Sequence, residues 1–499
     1  MRYSLCGKGV AVRLSIDADR GVRKIPREVY GHFAEHLGRC VYEGIWVGED
    51  SSIPHTRGIR NDVVAALAKL RMPNVRWPGG CFADTYHWKD GVGPRAQRPA
   101  IVNVHWGSTT ENNHFGTHEF LDFCSLVGTE PYICGNVGSG TVQEMAEWLE
   151  YLTMPANSPM ADKRRANGRA EPWNITYWAV GNENWGCGGN MTAQQYAWEF
   201  RKFQCYCRHF GGKKLFKVAC GFDDAWNEIL LREAAAFMNG LSVHYYTVRG
   251  PVWEDKGTAT GFPVSDWYGI MRNGLGIEGF IDRTATIMDR YDSVKRIAMV
   301  MDEWGTWHRS EAGTNPGFLY QQNTIRDALV AGLTLNIFNN RSDRVRMANI
   351  AQTVNVLQAM ILTDGPRMIL TPTYHVFEMY APHQDATLLP AWITDNTMDV
   401  EAKSLPHISA SASRGASGTI LLTLCNLHHE EDVEVRIDVR GTDVKGVSGK
   451  ALSGPATDSH NTFEQPDAVR PVAFDDVALS RDGIIAKLPA RSVVALDVR

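Results

Sequence analysis

Eight short apolar runs, each followed by a longer stretch with helical spacing, organise the chain from about residue 25 to 380. The runs fall at 29–37, 74–78, 131–137, 175–182, 217–221, 241–246, 296–303 and 348–356. Between them, residues 61–71 put Val63, Val64, Leu67 and Leu70 on one helical face, and 194–210 and 282–291 show the same spacing. Strand then helix, eight times over, predicts the α/β class and within it a (β/α)8 TIM barrel. A doubly wound open sheet is the other fold that such alternation permits.

The pattern changes beyond about residue 381. Segments 407–413, 419–426, 432–438, 483–489 and 492–499 read as strands, punctuated by Gly and Pro, with no helical stretch among them. They predict a separate C-terminal antiparallel β-sandwich, jelly-roll-like in kind. The expected division is a catalytic barrel over 25–381, a sandwich over 382–499, and an N-terminal piece, 1–24. The strand expected at 9–16 precedes the barrel, and it is expected to pair into the sandwich because chain ends often lie close together.

Charge narrows the partners. Lys and Arg total 51 and Asp and Glu 56, a net charge of −5, so no basic footprint for nucleic acid is expected. Charges interrupt every apolar run, so no membrane span is expected either. Residues 1–13 lack the form of a signal peptide, and the ten cysteines are irregularly spaced in 499 residues. Reduced cysteines and a cytoplasmic location follow as expectations. Cys205 and Cys207 in particular stand too close to bridge one another.

In a barrel of this kind, reactive groups collect at the C-terminal ends of the strands. The fourth run, Ile175-Thr-Tyr-Trp-Ala-Val-Gly181, leads straight into Asn182-Glu183-Asn184-Trp185. The seventh, Arg296-Ile-Ala-Met-Val-Met301, leads into Asp302-Glu303-Trp304-Gly305. Each leaves a carboxylate just past an apolar run, beside tryptophan. A solvated loop carboxylate explains either one alone, but not two at two strand ends. Two carboxylates across a cleft are the minimum set for glycoside hydrolysis. One protonates the leaving oxygen, and the other attacks the sugar carbon or activates water. Their surroundings must hold their pKa values apart. Fifteen Trp and sixteen Tyr supply flat apolar faces of the kind sugar rings pack on. Other motifs are weak. Gly135-Asn-Val-Gly-Ser-Gly140 fits neither phosphate-loop spacing, the histidines form no H-E-x-x-H helix, and no Gly-x-Ser-x-Gly elbow occurs.

Trp178-Ala-Val-Gly-Asn-Glu-Asn184 resembles the acid/base motif of a large clan of retaining barrel glycosidases, which carry the acid/base after strand four and the nucleophile after strand seven. Glu35-His-Leu-Gly-Arg-Cys-Val-Tyr-Glu-Gly44, Arg76-Trp-Pro-Gly-Gly80, Trp88-Lys-Asp-Gly-Val-Gly-Pro94, His114-Phe-Gly-Thr117 and Asp302-Glu-Trp-Gly-Thr-Trp307 narrow the resemblance. Ala351-Gln-Thr-Val-Asn-Val356 and Thr371-Pro-Thr-Tyr374 extend it. Together they are similar to α-L-arabinofuranosidases of glycoside hydrolase family 51.

The resemblance implies an exo-acting, retaining enzyme on arabinoxylan or arabinan oligosaccharides, needing no metal or cofactor. An endo-β-1,4-glucanase or xyloglucanase on the same barrel is the alternative. It implies Glu183 as acid/base and Glu303 as nucleophile. Asn182 would bond the sugar 2-hydroxyl, Glu35 would accept from the exocyclic hydroxyl, and Gln352 would touch the sugar. Arg76 would steady the nucleophile's charge, and Tyr246 would donate to it. Trp106 and Trp307 would wall the cleft. Cys81 stands where many relatives carry Asn, so its thiol is expected to make a weaker sugar contact. A homo-oligomer, hexameric in many relatives, is the implied assembly.

Overall fold

A computed structural model describes residues 11–400 and 403–499. Eight strands close into a barrel: Gly31–Phe33, Asn74–Trp77, Glu130–Gly135, Tyr177–Val180, Phe216–Cys220, Gly240–Thr247, Ala298–Thr306 and Val345–Ala351. Each pairs in parallel with the next, and the eighth returns to the first through Asn349↔Gly31 and Ala351↔Phe33. Closure excludes the open sheet. Alternate residues fill the lumen: Tyr132 and Cys134, Ala179, Val218, Ala298 and Val300, and Met347 pack as one cluster. The intervening residues face the helices, so these strands are apolar on both sides and read as continuous runs.

The helices differ more from expectation than the strands. The segment expected over 282–291 is the end of a helix that spans Val264–Tyr291. Gly269, Gly274, Gly276 and Gly279 interrupt its spacing without ending it. The last long barrel helix, Ile325–Asn340, shows no amphipathic face, because every residue from Ile325 to Asn339 is buried. It lies between the barrel and the sandwich.

The sandwich has two sheets. One runs Arg23–Lys24, Thr387–Leu389, Ile408–Arg414, Ile420–Asn426, Ser492–Val498, Val447–Leu452, Val472–Ala473 in spatial order. The other runs Ala391–Thr394, Ala11–Asp17, Val433–Arg440, Gly483–Leu488, Val477–Ser480. Among the described residues its pairings are antiparallel except one: Ala11–Asp17 runs parallel to Val433–Arg440. Of the strand expected at 9–16, residues 9 and 10 lie outside the described residues. Ile420–Asn426 is buried on both faces, with Leu422 and Leu424 in the sandwich core and Leu421 and Cys425 in the barrel's. No helix among the described residues is long and apolar enough to cross a membrane.

Candidate active site

Loops beyond the C-terminal ends of the barrel strands enclose a cavity of about 690 Å³. Glu35, Cys81, Trp106, Glu183, Tyr246, Glu303, Trp307 and Gln352 line it. Arg76 and Asn182 sit just behind that wall, 1% and 2% exposed. All ten residues singled out from the sequence therefore meet in one place.

Glu303 is fixed at both oxygens. Arg76, from the second barrel strand, donates to Oε1 at 2.7 Å, and Tyr246, from the sixth, donates to Oε2 at 2.8 Å. Arg76 also donates to Asn182 Oδ1 at 2.5 Å, and its Nε lies 3.4 Å from Asp302. Burial opposes the charge on Arg76, but Asp302 and Glu303 hold its pKa well above the ordinary value. Asp302 accepts from Tyr132 at 2.7 Å and Ser242 at 2.5 Å. Burial would raise its pKa, yet Arg76, His244 and Ser242 bring it down to about 2. A charged guanidinium beneath Glu303 thus faces two carboxylates and stays protonated.

Glu183 reaches the cavity through a tight turn after the fourth barrel strand. Gly181 takes φ +91, and a Cβ there would meet Asn184 Oδ1 at 2.1 Å. Glu183 itself sits at φ +40, in a region costly for a side-chain-bearing residue and one that clusters at functional sites. Asp84 holds this turn. Its Oδ2 accepts from the Asn182 amide at 3.0 Å, and its Oδ1 from those of Val137 and Gly138 at 2.8 and 2.7 Å. Burial lifts Asp84 to about 7, with the three amides pulling the other way.

His244 joins the two glutamates. Its Nδ1 lies 2.8 Å from Glu183 Oε1 and 3.6 Å from Glu303 Oε2, and its Nε2 lies 3.4 Å from Asp302. Burial works against its proton, but Glu303, Asp302 and Glu183 together raise it to about 10. An imidazolium so placed offsets the repulsion between carboxylates whose oxygens approach within 4.8 Å. His244 is a site residue that the sequence analysis did not single out. Its position two residues before Tyr246, on the same strand face, was the available signal.

Glu35 is buried at the far wall. Trp106 Nε1 and the Phe82 amide donate to one oxygen at 2.8 and 3.1 Å, and Gln352 donates to the other at 3.1 Å. Burial and the nearby charge of Glu303 push it up to about 8. Nearby, Arg39 pairs with Glu43 at 3.6 Å. Trp106 is therefore held through its indole N–H as well as serving as a wall. At the mouth, Trp307 meets Trp253 and Tyr246 edge-on, with Lys256 about 4.2–4.3 Å from both indole centroids. Trp185, which also lines the cavity, stacks on Phe222 at 3.9 Å. Phe222 and Trp253 lie in loops after the fifth and sixth strands, and their spacing alone carried no signal.

One expectation is overturned. Cys81 is not a free thiol: it is disulfide-bonded to Cys187, 106 residues on. The expected thiol–sugar contact falls with it, as does the reading of every cysteine as reduced. The bridge escaped sequence reading because it joins loops after the second and fourth strands, which only barrel closure brings together. The seven other described cysteines, Cys205 and Cys207 included, are unbridged. Two donor clusters with metal-like spacing occur among the described residues, Glu183–His244–Glu303 and Cys81–Glu183–Cys187.

Known proteins resemble this chain in sequence and in fold. Family profiles for the α-L-arabinofuranosidase 1 domain and the α-L-arabinofuranosidase C-terminal domain match residues 66–247 and 302–492. An intracellular exo-α-L-arabinofuranosidase of Bacteroides ovatus is 49% identical over 97% of this chain and 95% of that one. The crystal structure of the family 51 arabinofuranosidase from Xanthomonas axonopodis pv. citri is 48% identical, with a TM-score of 0.97 over 98% of this chain and all of that one. An arabinose complex of the Thermotoga maritima α-L-arabinofuranosidase is 31% identical, with a TM-score of 0.84 over 98% of this chain. With a closed barrel, a β-sandwich and this match along nearly its whole length, the chain belongs to the α-L-arabinofuranosidases of glycoside hydrolase family 51.

Proposed function

We propose that this chain removes terminal non-reducing α-L-arabinofuranosyl residues from arabinoxylan and arabinan oligosaccharides by double displacement. The observation that carries the reading is the pair of strand-end carboxylates, Glu183 and Glu303, with oxygens within 4.8 Å. A retaining pair stands about 5–5.5 Å apart, whereas an inverting pair needs about 6.5–9.5 Å to admit water between them.

The two carboxylates divide the work by their surroundings. Glu303, bonded at one oxygen by Arg76 and at the other by Tyr246, attacks the anomeric carbon. Glu183, which faces the aromatic mouth, gives its proton to the departing oxygen. In the second step it takes a proton from water, which attacks the arabinosyl ester and frees Glu303. His244, with its Nδ1 2.8 Å from Glu183 Oε1, steadies the carboxylate that Glu183 becomes once its proton has left. Asn182, steered by Arg76, reaches toward the 2-hydroxyl, and Glu35 with Gln352 toward the exocyclic hydroxyl. A pocket walled at its inner end by Glu35, Trp106 and Gln352 supports exo action on one terminal sugar. The endo-glucanase alternative needs a groove open at both ends, and it is not favoured.

Hydrolysis of para-nitrophenyl α-L-arabinofuranoside, the β-xylopyranoside and a cellulose oligomer tests this. The first should be cleaved and should release α-arabinofuranose as the initial anomer. Preferential cleavage of the cellulose oligomer, or an inverted first product, would reject it. The name of the Bacteroides relative supports a cytoplasmic location, and the resemblance supports a hexamer. Light scattering after size exclusion reads the assembly directly.

A further inference from the structure

The hydrolytic steps use neither Cys81 nor Cys187, yet both sulfurs crowd the acid/base. Cys81 Sγ lies 3.7 Å and Cys187 Sγ 3.5 Å from Glu183 Oε2. Bridged sulfurs carry no S–H, so neither donates to that carboxylate. We propose that Cys81, Cys187 and Glu183 form a redox-gated site for a thiophilic divalent cation such as Zn2+, closed while the bridge is intact and opened by its reduction.

The spacing fits such an ion. Zn–S bonds of about 2.3 Å and a Zn–O bond of about 2.1 Å, arranged tetrahedrally, set sulfur and oxygen about 3.6 Å apart. Glu183 Oε2 already stands at that distance from both sulfurs, and all three donor atoms lie within 4.8 Å of one another. The two sulfurs must open from about 2.0 Å in a disulfide to about 3.8 Å in the tetrahedron, under about 1 Å of movement each. All three side chains are half-buried, and Cys81 and Glu183 line the cavity, so a cation has a path in and a fourth position open to water.

The chemistry balances with a dithiol reductant. It gives two electrons and two protons, the S–S bond breaks, Cys81 and Cys187 become thiols, and the dithiol leaves as its own disulfide. Zn2+ then displaces both thiol protons and takes Glu183 Oε2 as its third protein ligand. Intracellular disulfides are uncommon and are usually transient or redox-sensing, which gives the gate a setting in which to work. The effect on turnover rests on Glu183 being the acid/base. The metal site itself does not.

The test uses the full chain carrying Cys205→Ser, which removes the exposed described thiol. One portion is left oxidised, and another is reduced with a phosphine that is then removed under argon. Zn2+ should half-inhibit the reduced protein at a concentration at least about tenfold lower than the oxidised protein. Adding Cys187→Ser should erase that difference, each variant being compared with its own metal-free rate. Co2+ supplies a readout independent of turnover. Reduced protein should show a thiolate-to-Co2+ charge-transfer band that oxidised protein and Cys187→Ser lack. Equal Zn2+ sensitivity with and without reduction would move the metal to Glu183, His244 and Glu303 and overturn the proposal. So would the absence of the Co2+ band after reduction, or full labelling of Cys81 and Cys187 by maleimide before it. A band without inhibition would uphold the site and count against Glu183 as acid/base.

Discussion

Each carboxylate of the pair predicts a different kinetic lesion. Glu303→Ala removes the atom that forms the covalent intermediate, so kcat should fall by at least about three orders of magnitude on every arabinofuranoside. Azide should restore turnover and give the inverted glycosyl azide; unchanged activity would end the assignment. Glu183→Ala should separate substrates by leaving group. A sugar leaving group needs the proton, and its cleavage should collapse. A dinitrophenolate does not, so a burst followed by slow turnover should appear, with azide speeding the slow phase. Equal slowing of both substrates without rescue would remove Glu183 from the role. His244 carries a pH signature. Its folded pKa, raised to about 10 from 6.5, makes its ionic contacts fully stabilising below the unfolded value and lost as pH climbs through the folded one. The Tm advantage of wild type over His244→Asn should therefore be widest near pH 6 and shrink toward about pH 10. A gap that stays constant would mean His244 acts by packing alone. The sequence exposed the two glutamates because each follows an apolar run without a break. It hid His244, whose meaning depends on three acids drawn from the fourth and seventh strands.

At the scale of elements, one buried aspartate ties three loops. Asp84 follows the second strand and binds amides that follow the third and the fourth. Asp84→Asn keeps the shape but turns an acceptor oxygen into an N–H, leaving at least one buried amide unmet. A loss of about 2–3 kcal/mol is expected, seen as a lower urea midpoint. kcat should drop as well, because the Asn182–Glu183 turn loses its anchor. A variant as stable and as active as wild type would show the anchor to be dispensable. The strands themselves were legible, since all eight expected runs coincide with barrel strands. The helices were less so. Periodicity finds a helix by its polar face, and Ile325–Asn340 has none to show.

Across the whole molecule, barrel and sandwich share a core. Gly332 on Ile325–Asn340 packs so close to the sandwich that a Cβ would meet Cys425 Sγ at 2.7 Å. Thr423 donates to Asn336 at 2.7 Å, and Trp267 donates to the Leu427 carbonyl at 3.0 Å. Leu421, Cys425, Leu427, Val493 and Ala495 belong to the same apolar cluster as the barrel helices. Gly332→Val should cost about 1–3 kcal/mol by overpacking. Calorimetry should show the whole chain melting in one transition at a lower temperature. Two resolved transitions would mean the units unfold independently. The change in strand pattern near residue 381 was visible in sequence, but the burial of one sandwich sheet on both faces was not. It shows only as the apolar run at Ile420–Asn426, where alternation would otherwise be expected.

The strand Ala11–Asp17 lies between Ala391–Thr394 and Val433–Arg440. A ribosome delivers that strand before every barrel strand and both of its neighbours after all of them. The nascent chain must therefore carry an unpaired, apolar edge while every barrel strand is being made. Early release or pausing before Val433 should leave a species that displays this edge to other copies, a known route to strand-swapped aggregates. Yield from a cell should thus depend on how quickly the chain from the barrel's end through Arg440 is made, a constraint that no property of the finished active site would reveal.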